Sequence, residues 1–350
     1  MSKIDIGVIF GGQSTEHDVS TMSGMSIVEN LDNRKYNVFP IYIDKDGTWY
    51  EYKSAKEDAE EVDLSVKIYS KSKIKNIVTY LKELDIVFPV LHGKYGEDGS
   101  IQGLLEVLHI PYIGCGILAS SIGMDKVYTK AILEKAGIKQ ARYCYVKVCN
   151  DEYYWVEKNF DESKLSINEI CKKVKNELDF PVFVKPSNSG SSIGISKAKS
   201  KKELESAIVE ASKYDCKILI EEGIEGKEIE CAILEMESVM ASCTGQIIPA
   251  EEFYTFEAKY DNCDSRLVIP SNVECEEEVK EIAVKAFRAI DGRGLARVDF
   301  FVTEEGEIYL NEINTMPGFT SISMYAKLWE AGGVVFSELL DCLVGVEING

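Results

Sequence analysis

The chain reads as an α/β protein, mixed α/β and α+β overall, of three domains led by a parallel-sheet domain, and three observations predict this. Residues 4–10 form an apolar run too short for a helix, cut by Gly11-Gly12 and followed by a helical pattern. Strand-like and helical stretches then alternate, the order that builds a parallel layer. In the last third the pattern changes to period two, as in KEIECAILEM. The 350 residues divided by about 150 per domain leave room for two or three cores.

Taken in order, the first strand ends at the glycine turn. STEHDVSTMSGMSIVENL then offers Ser and Thr caps, early acids and apolar positions at helical spacing. The next strands are expected at 38–43 and 85–91. Around 114–123 the chain turns small and loop-like before MDKVYTKAILEKAGI opens a helix. Boundaries are accordingly expected to give domains 1–117, 118–219 and 220–350. The polar, Asn- and Lys-rich stretch 151–177 reads as a surface excursion, followed by a strand at 180–184, the helix KKELESAIVEASKY and the strand KILIEE. The third domain adds an irregular loop at 250–270 and closing helices.

Composition narrows the function. Lys and Arg number 39 against 59 Asp and Glu, a formal charge of -20, so the overall field repels phosphate backbones and anionic lipid, and no nucleic-acid or membrane partner is expected. Mean hydropathy is -0.10, and no apolar run reaches the roughly 18 residues of a membrane span. Any bound anion must be held by local cations, backbone amides or metal ions. The ten cysteines sit singly without a zinc spacing and read mostly as buried thiols of a reducing, cytoplasmic setting. The first residues lack the features of a signal peptide.

The densest chemistry lies in GLARVDFFVTEEGEIYLNEINT. Strands at 296–302 and 308–312 flank Glu305-Gly306. With those two at the tip, Asp299 faces Glu312 and Arg297 faces Asn314 on one side of a hairpin. Opposed carboxylates repel unless a cation lies between them, and Asp, Glu and Asn offer the hard oxygens that suit Mg²⁺. The alternative is an exposed charged hairpin end.

Four other stretches stand out. KPSNSGSSIGISK could fold its amides and hydroxyls, with Lys185, around phosphate, or be a flexible surface loop; it has no Walker closing signature. Glu16, past the first strand, could recognise an ammonium group or simply be a first-turn acid. VLHGKYGEDGSIQG places His92 at a strand end before a glycine-crowded loop, which suits ligand approach or a tight connection. FYTFEAKYDNC could close as a lid or lie as a half-buried loop.

Together GG-x-S-x-E-x-x-VS, LHG-x-x-GEDG-x-x-QG, MDK, KP…GSS-x-G, EAKY, R-x-D and NE-x-NT-x-PG-x-TS resemble the ATP-grasp superfamily, and within it D-alanine:D-alanine ligases, over essentially the whole chain. The resemblance implies a three-domain ATP-grasp fold and a two-step reaction. ATP phosphorylates one D-alanine carboxylate, and the amine of a second attacks the acylphosphate. It implies Asp299, Glu312 and Asn314 as ligands of two Mg²⁺ (or Mn²⁺) ions, Lys126 and Lys185 on ATP phosphates above Ser191 and Ser192, and Glu221, Glu228 and Phe253 around adenosine. Glu16 would anchor the first ammonium and, with Ser191 and Tyr260, lock the lid. Lys259 would neutralise the transferring phosphoryl group, and Arg297 with the Gly318 amide would stabilise the tetrahedral intermediate. Ser323 and Met324 would hold the second carboxylate, and His92 would line the first pocket.

Tyr260 and Met324 favour D-alanine as acceptor, whereas Lys94 and EIECAIL resemble D-serine ligases. Another ATP-grasp carboxylate–amine ligase is the broader alternative. The resemblance further implies a cytoplasmic homodimer serving peptidoglycan synthesis.

Overall fold

A computed structural model describes residues 2–53, 70–249, 266–320 and 322–349. Phe253, Lys259 and Tyr260 lie outside the described residues.

The first sheet holds β1 (Ile4–Gly11), β2 (Tyr36–Ile43), β3 (Trp49–Lys53), β4 (Ser70–Lys73) and β5 (Ile86–Pro89) in the order β4-β3-β2-β1-β5. β1 runs parallel to both neighbours, while β3 and β4 extend the edge antiparallel. β1 is central, which is why Ile6, Val8, Ile9 and Phe10 are all apolar and fully buried. Helices α1 (His17–Asn30), α2 (Ile77–Leu81) and α3 (Ser100–Leu108) complete this unit. Ser20 of α1 stitches the layers: its hydroxyl donates to the Val90 carbonyl (2.5 Å) and accepts from the Gly11 amide (2.9 Å).

After α4 (Ile117–Met124) and α5 (Lys126–Lys135) comes a six-stranded sheet of order β10-β9-β11-β6-β7-β8. Its strands are β6 (Tyr143–Cys149), β7 (Glu152–Val156), β8 (Glu162–Leu165), β9 (Val182–Pro186), β10 (Ser196–Ala198) and β11 (Lys217–Glu222), covered by α6 (Ile167–Glu177) and α7 (Lys201–Ala211). The expected surface excursion at 151–177 is thus corrected. It supplies two strands and a capped helix, and Trp155 is fully buried in the core of this sheet. The signal was Asn150-Asp151, both at positive φ (51° and 62°), the two-residue turn that twists correctly for a hairpin.

The third sheet, β14-β13-β12-β15-β16, comprises β12 (Lys227–Glu235), β13 (Val239–Ile248), β14 (Arg266–Val268), β15 (Leu295–Val302) and β16 (Ile308–Asn314). Helices α8 (Glu276–Ala289), α9 (Met324–Ala331) and α10 (Phe336–Asn349) accompany it. Core packing does not follow chain order. Tyr325, Leu328 and Leu339 of the last two helices share one cluster with Ile6, Phe10 and Phe88 of the first unit, whereas the six-stranded sheet keeps a cluster of its own. Leu133 of α5 and Ala119 of α4 pack with the third sheet rather than the second.

The hairpin β15–β16 pairs Asp299 with Glu312 and Arg297 with Asn314, as the sequence predicts, but by a different route. The tip is one residue longer than expected, since the Thr303 amide donates to the Glu307 carbonyl (3.0 Å) and Val302 pairs with Ile308. A bulge between Asp299 and Phe300 then offsets the register at Asn311. The two one-residue shifts cancel, so the expected pairs meet. Bulges of this kind re-aim side chains beside active sites.

The cysteines fit their expected burial only partly. Among the nine described, Cys115, Cys144, Cys171 and Cys231 are buried and Cys149 and Cys216 exposed, with no disulfide among them.

Candidate active site

The three units enclose a cleft of about 1720 Å³, lined from the first unit by Glu16, Val19, His92 and Glu97 rather than by its sheet. One wall is the hairpin. Register places Glu230 of β12 opposite Asp299, and Asp299 opposite Glu312, so three carboxylates stand in a row across three strands. Such a row is unstable without a cation. Arg297 supplies one: its Nε and one terminal nitrogen each donate to Asp299 at 2.8 Å, and Nε lies 3.0 Å from Glu230. Burial would lower the Arg297 pKa, but Asp299 and Glu230 outweigh it and hold the guanidinium firmly charged. The Asn314 amide donates to Asp299 at 3.0 Å. Among the described residues no three His, Cys, Asp or Glu side chains close around one point. A hard cation here would therefore draw on Asp299, Glu312 and the Asn314 amide oxygen, completed by substrate oxygens, a donor set that suits Mg²⁺.

The facing wall is cationic. Lys185, on β9, and Lys130, on α5, both pair with the Glu221 carboxylate, Lys130 at 2.8 Å. Burial alone would raise the Glu221 pKa, yet the two lysines bring it down to about 2. Its carboxylate is thus held between two lysines. Lys126, at the start of α5, donates to the Ser189 carbonyl at 2.6 Å, and burial pulls its pKa down. The loop after β9 carries Ser191 and Ser192 at φ 49° and 60°, a region non-glycine residues seldom occupy and one that clusters at ligand sites. Ser192 and Glu228 also line the cleft.

Where the walls meet, the Ser191 hydroxyl donates to the Glu16 carboxylate. Glu16 sits at the N-cap position of α1 rather than in its first turn, and is buried. A Cβ on Gly93 or on Gly190 would come within 2.5 Å of its Oε2, so both glycines let backbone close around the carboxylate. His92 Nδ1 lies 3.1 Å from the Met316 carbonyl and Nε2 3.2 Å from the Ser23 hydroxyl, which sets Nδ1 as the protonated nitrogen. Burial lowers the His92 pKa, so the ring is neutral.

Gly318 lines the cleft, and the Ser323 hydroxyl lies 2.8 Å from that of Thr320. Met324 opens α9. Its side chain is buried in the core against Gly245, and its amide stands at the helix N-terminus, an end that favours anions.

Five residues here escaped the sequence reading: Ser23, Glu97, Asp125, Lys130 and Glu230. Period-two alternation from Glu228 would have placed Glu230 on the site face. Helical spacing from Lys126 would likewise have brought Lys130 beside it. Glu97 accepts from the Gly93 amide at 2.6 Å, and burial together with Glu16 pushes its pKa up to about 8.

Three α/β units enclosing a cleft that sets lysines and a serine-rich loop against an acidic hairpin define an enzyme of the ATP-grasp class. Residues 5–115 match the family model "D-ala D-ala ligase N-terminus", and residues 133–345 match "D-ala D-ala ligase C-terminus". The chain belongs to the D-alanine–D-alanine ligase family. It is 48% identical over 345 residues to the D-alanine–D-alanine ligase of Clostridium acetobutylicum, covering 98% of this chain and 97% of that one. To D-alanine–D-alanine ligase B of Clostridium tetani it is 47% identical, covering 100% and 95%. Among solved structures it resembles the D-alanine–D-alanine ligase of Coxiella burnetii (TM-score 0.79, 32% identity, 100% and 95% covered). It also resembles the VanG D-Ala:D-Ser ligase of Enterococcus faecalis (TM-score 0.80, 34% identity, 99% and 100% covered).

Proposed function

We propose that this chain joins two D-alanine molecules into D-alanyl-D-alanine, driven by ATP through an acylphosphate, as a cytoplasmic homodimer supplying peptidoglycan precursors. The observation that carries the reading is the Ser191–Glu16 hydrogen bond. It joins a phosphate-type loop to an ammonium-type carboxylate, with the Arg297–Asp299–Glu312–Asn314 patch in the same cleft. Nucleotide and amino acid sites must abut in this way when a phosphoryl group passes to a carboxylate.

Lys126 and Lys185 then bind the ATP phosphates, with Ser191, Ser192 and their loop amides beneath, while Glu228 faces the ribose. Asp299, Glu312 and Asn314 hold two Mg²⁺ ions, which supply charge neutralisation on the phosphates. Glu16 takes the ammonium of the first D-alanine beside neutral His92. A guanidinium has five N–H donors, so its bonds to Asp299 leave Arg297 donors for the reacting carboxylate, where with the Gly318 amide it stabilises the developing oxyanion. Ser323 and the Met324 amide receive the carboxylate of the second D-alanine. By resemblance, Phe253 flanks adenine, and Lys259 and Tyr260 belong to the lid that keeps water from the acylphosphate. The reading divides the chain at 1–117, 118–219 and 220–350.

The test supplies MgATP with D-alanine, alone and with D-serine, D-lactate or L-alanine, and identifies products by mass. D-Ala-D-Ala from D-alanine alone is expected. A dominant D-Ala-D-Ser product would make this an acceptor-switched ligase, and no dipeptide from any mixture would overturn the reading.

A further inference from the structure

At the base of the phosphate-type loop lies a polar clasp centred on the buried Asp125 and Ser187. Asp125 is the N-cap of α5, its Oδ1 accepting from the amides of Val127 (3.1 Å) and Tyr128 (3.2 Å). The same oxygen accepts from the Ser187 hydroxyl at 2.6 Å, and Oδ2 accepts from the Asn188 side chain at 3.3 Å and pairs with Lys217. Ser187 and Asn188 begin the loop, and Lys217 begins β11. The backbone doubles the link: the Lys126 amide donates to the Ser187 carbonyl at 3.1 Å and the Ser187 amide to the Lys217 carbonyl at 2.8 Å. From the far side, Asp215 accepts from the Asn188 amide at 2.8 Å and from its side chain at 2.9 Å.

A helix cap needs only the two amide bonds. Asp125 makes three further contacts, all to segments that carry or adjoin the cationic wall. We infer that Asp125 is a positioning residue for nucleotide: it locks Lys126, the serine-rich loop and β11 into one rigid cradle, so that the loop amides and both lysines meet the triphosphate already in register. The inference rests on the ATP-dependent reading above and deepens it. Preorganisation of this kind lowers the ordering cost of binding. Losing the clasp therefore acts first on nucleotide; the amino acid pocket meets the loop through Gly190 and Ser191 but rests otherwise on α1, His92 and the hairpin, and is affected less.

The test compares Asp125→Asn, Asp125→Ala and Lys217→Met with Ser166→Ala. Ser166 caps α6 in the same sheet unit through its own capping box, on the exposed surface, and so reports cap loss alone. Binding of MgADP, KM for ATP and for D-alanine, and Tm are measured. Asp125→Ala is expected to weaken MgADP binding and raise the ATP KM at least about tenfold, with the D-alanine KM within about twofold. Asn, which also caps helices but sets an N–H₂ donor where Oδ2 accepts from Asn188 and Lys217, should recover the Tm and leave nucleotide affinity low. Ser166→Ala should lower Tm with nucleotide affinity unchanged. If Asp125→Ala does not fold, Lys217→Met decides by the same readout. Unchanged MgADP affinity in the folded variants would overturn the clasp, as would equal losses for ATP and D-alanine. A wild-type chain that binds MgADP yet forms no dipeptide would sink the substrate reading alone, leaving the clasp to stand or fall on MgADP affinity. A wild-type chain that binds no nucleotide would sink both.

Discussion

Glu312 ends the row of carboxylates that begins at Glu230, and Arg297 pairs with Glu230 and Asp299. On the proposed reading, the Glu312 carboxylate would be a ligand of metal at the outer end of the row. Glu312→Gln is expected to cut dipeptide formation at least about tenfold and raise the Mg²⁺ requirement; normal turnover with unchanged Mg²⁺ dependence would remove the hairpin from metal binding. A second prediction concerns Glu97. Burial and Glu16 raise its pKa to about 8 from an ordinary 4.5. Between those values the folded chain holds a proton that the unfolded chain releases. The unfolded state binds fewer protons there, so this group's contribution to stability falls as pH rises through that window. Glu347, raised to about 7 mainly by burial, acts in the same direction. Glu97→Gln is expected to flatten the decline of Tm between about pH 5 and 8 without abolishing it, because Glu347 remains. A Tm profile parallel to wild type would show that Glu97 titrates normally.

At the scale of elements, the hairpin shows how far sequence arithmetic reaches. Polar residues placed symmetrically about Glu305-Gly306 identified the correct pairs, although the longer tip and the bulge were both hidden. Neither a bulge nor loop length changes the alternation that a reader sees, because each merely inserts one residue. The bulge at Asn311 is testable. Deleting that residue keeps Asp299 opposite Glu312 in a regular ladder but removes the bend. The variant is expected to stay folded by circular dichroism while losing turnover and needing more Mg²⁺; wild-type Mg²⁺ dependence would show that the bulge does not aim Glu312. The stretch 151–177 was misread for another reason. Its edge strands face water on one side, so exposed Lys and Glu masked the alternation that buries Trp155. Motifs carried the rest: Glu16, Ser191, Lys126, Lys185 and the hairpin group line one cleft. Residues acting through others, such as Asp125 and Lys130, left no such mark, because capping and ion pairing are common in any helix.

For the whole molecule, the decisive feature is the division of the core. The first sheet and the last two helices share one cluster, and the six-stranded sheet has its own. These bodies face each other across the cleft, and the Ser191–Glu16 bond crosses it. A single hydrogen bond contributes only about 0.5–1.5 kcal/mol to stability, so Ser191→Ala should change Tm little. Its effect belongs to closure instead. The reading requires an acylphosphate to survive until the second amine attacks, and water admitted by a looser cleft would hydrolyse it. Ser191→Ala is therefore expected to release more ADP than it forms dipeptide, the excess growing as D-alanine is lowered, while wild type stays near parity. Glu16→Gln should leak similarly and also raise the D-alanine KM, since it loses the charge facing the ammonium. If both variants kept ADP and dipeptide equal at every D-alanine concentration, the bond would be a packing contact between two bodies, and exclusion of water would have to come from elsewhere in the cleft.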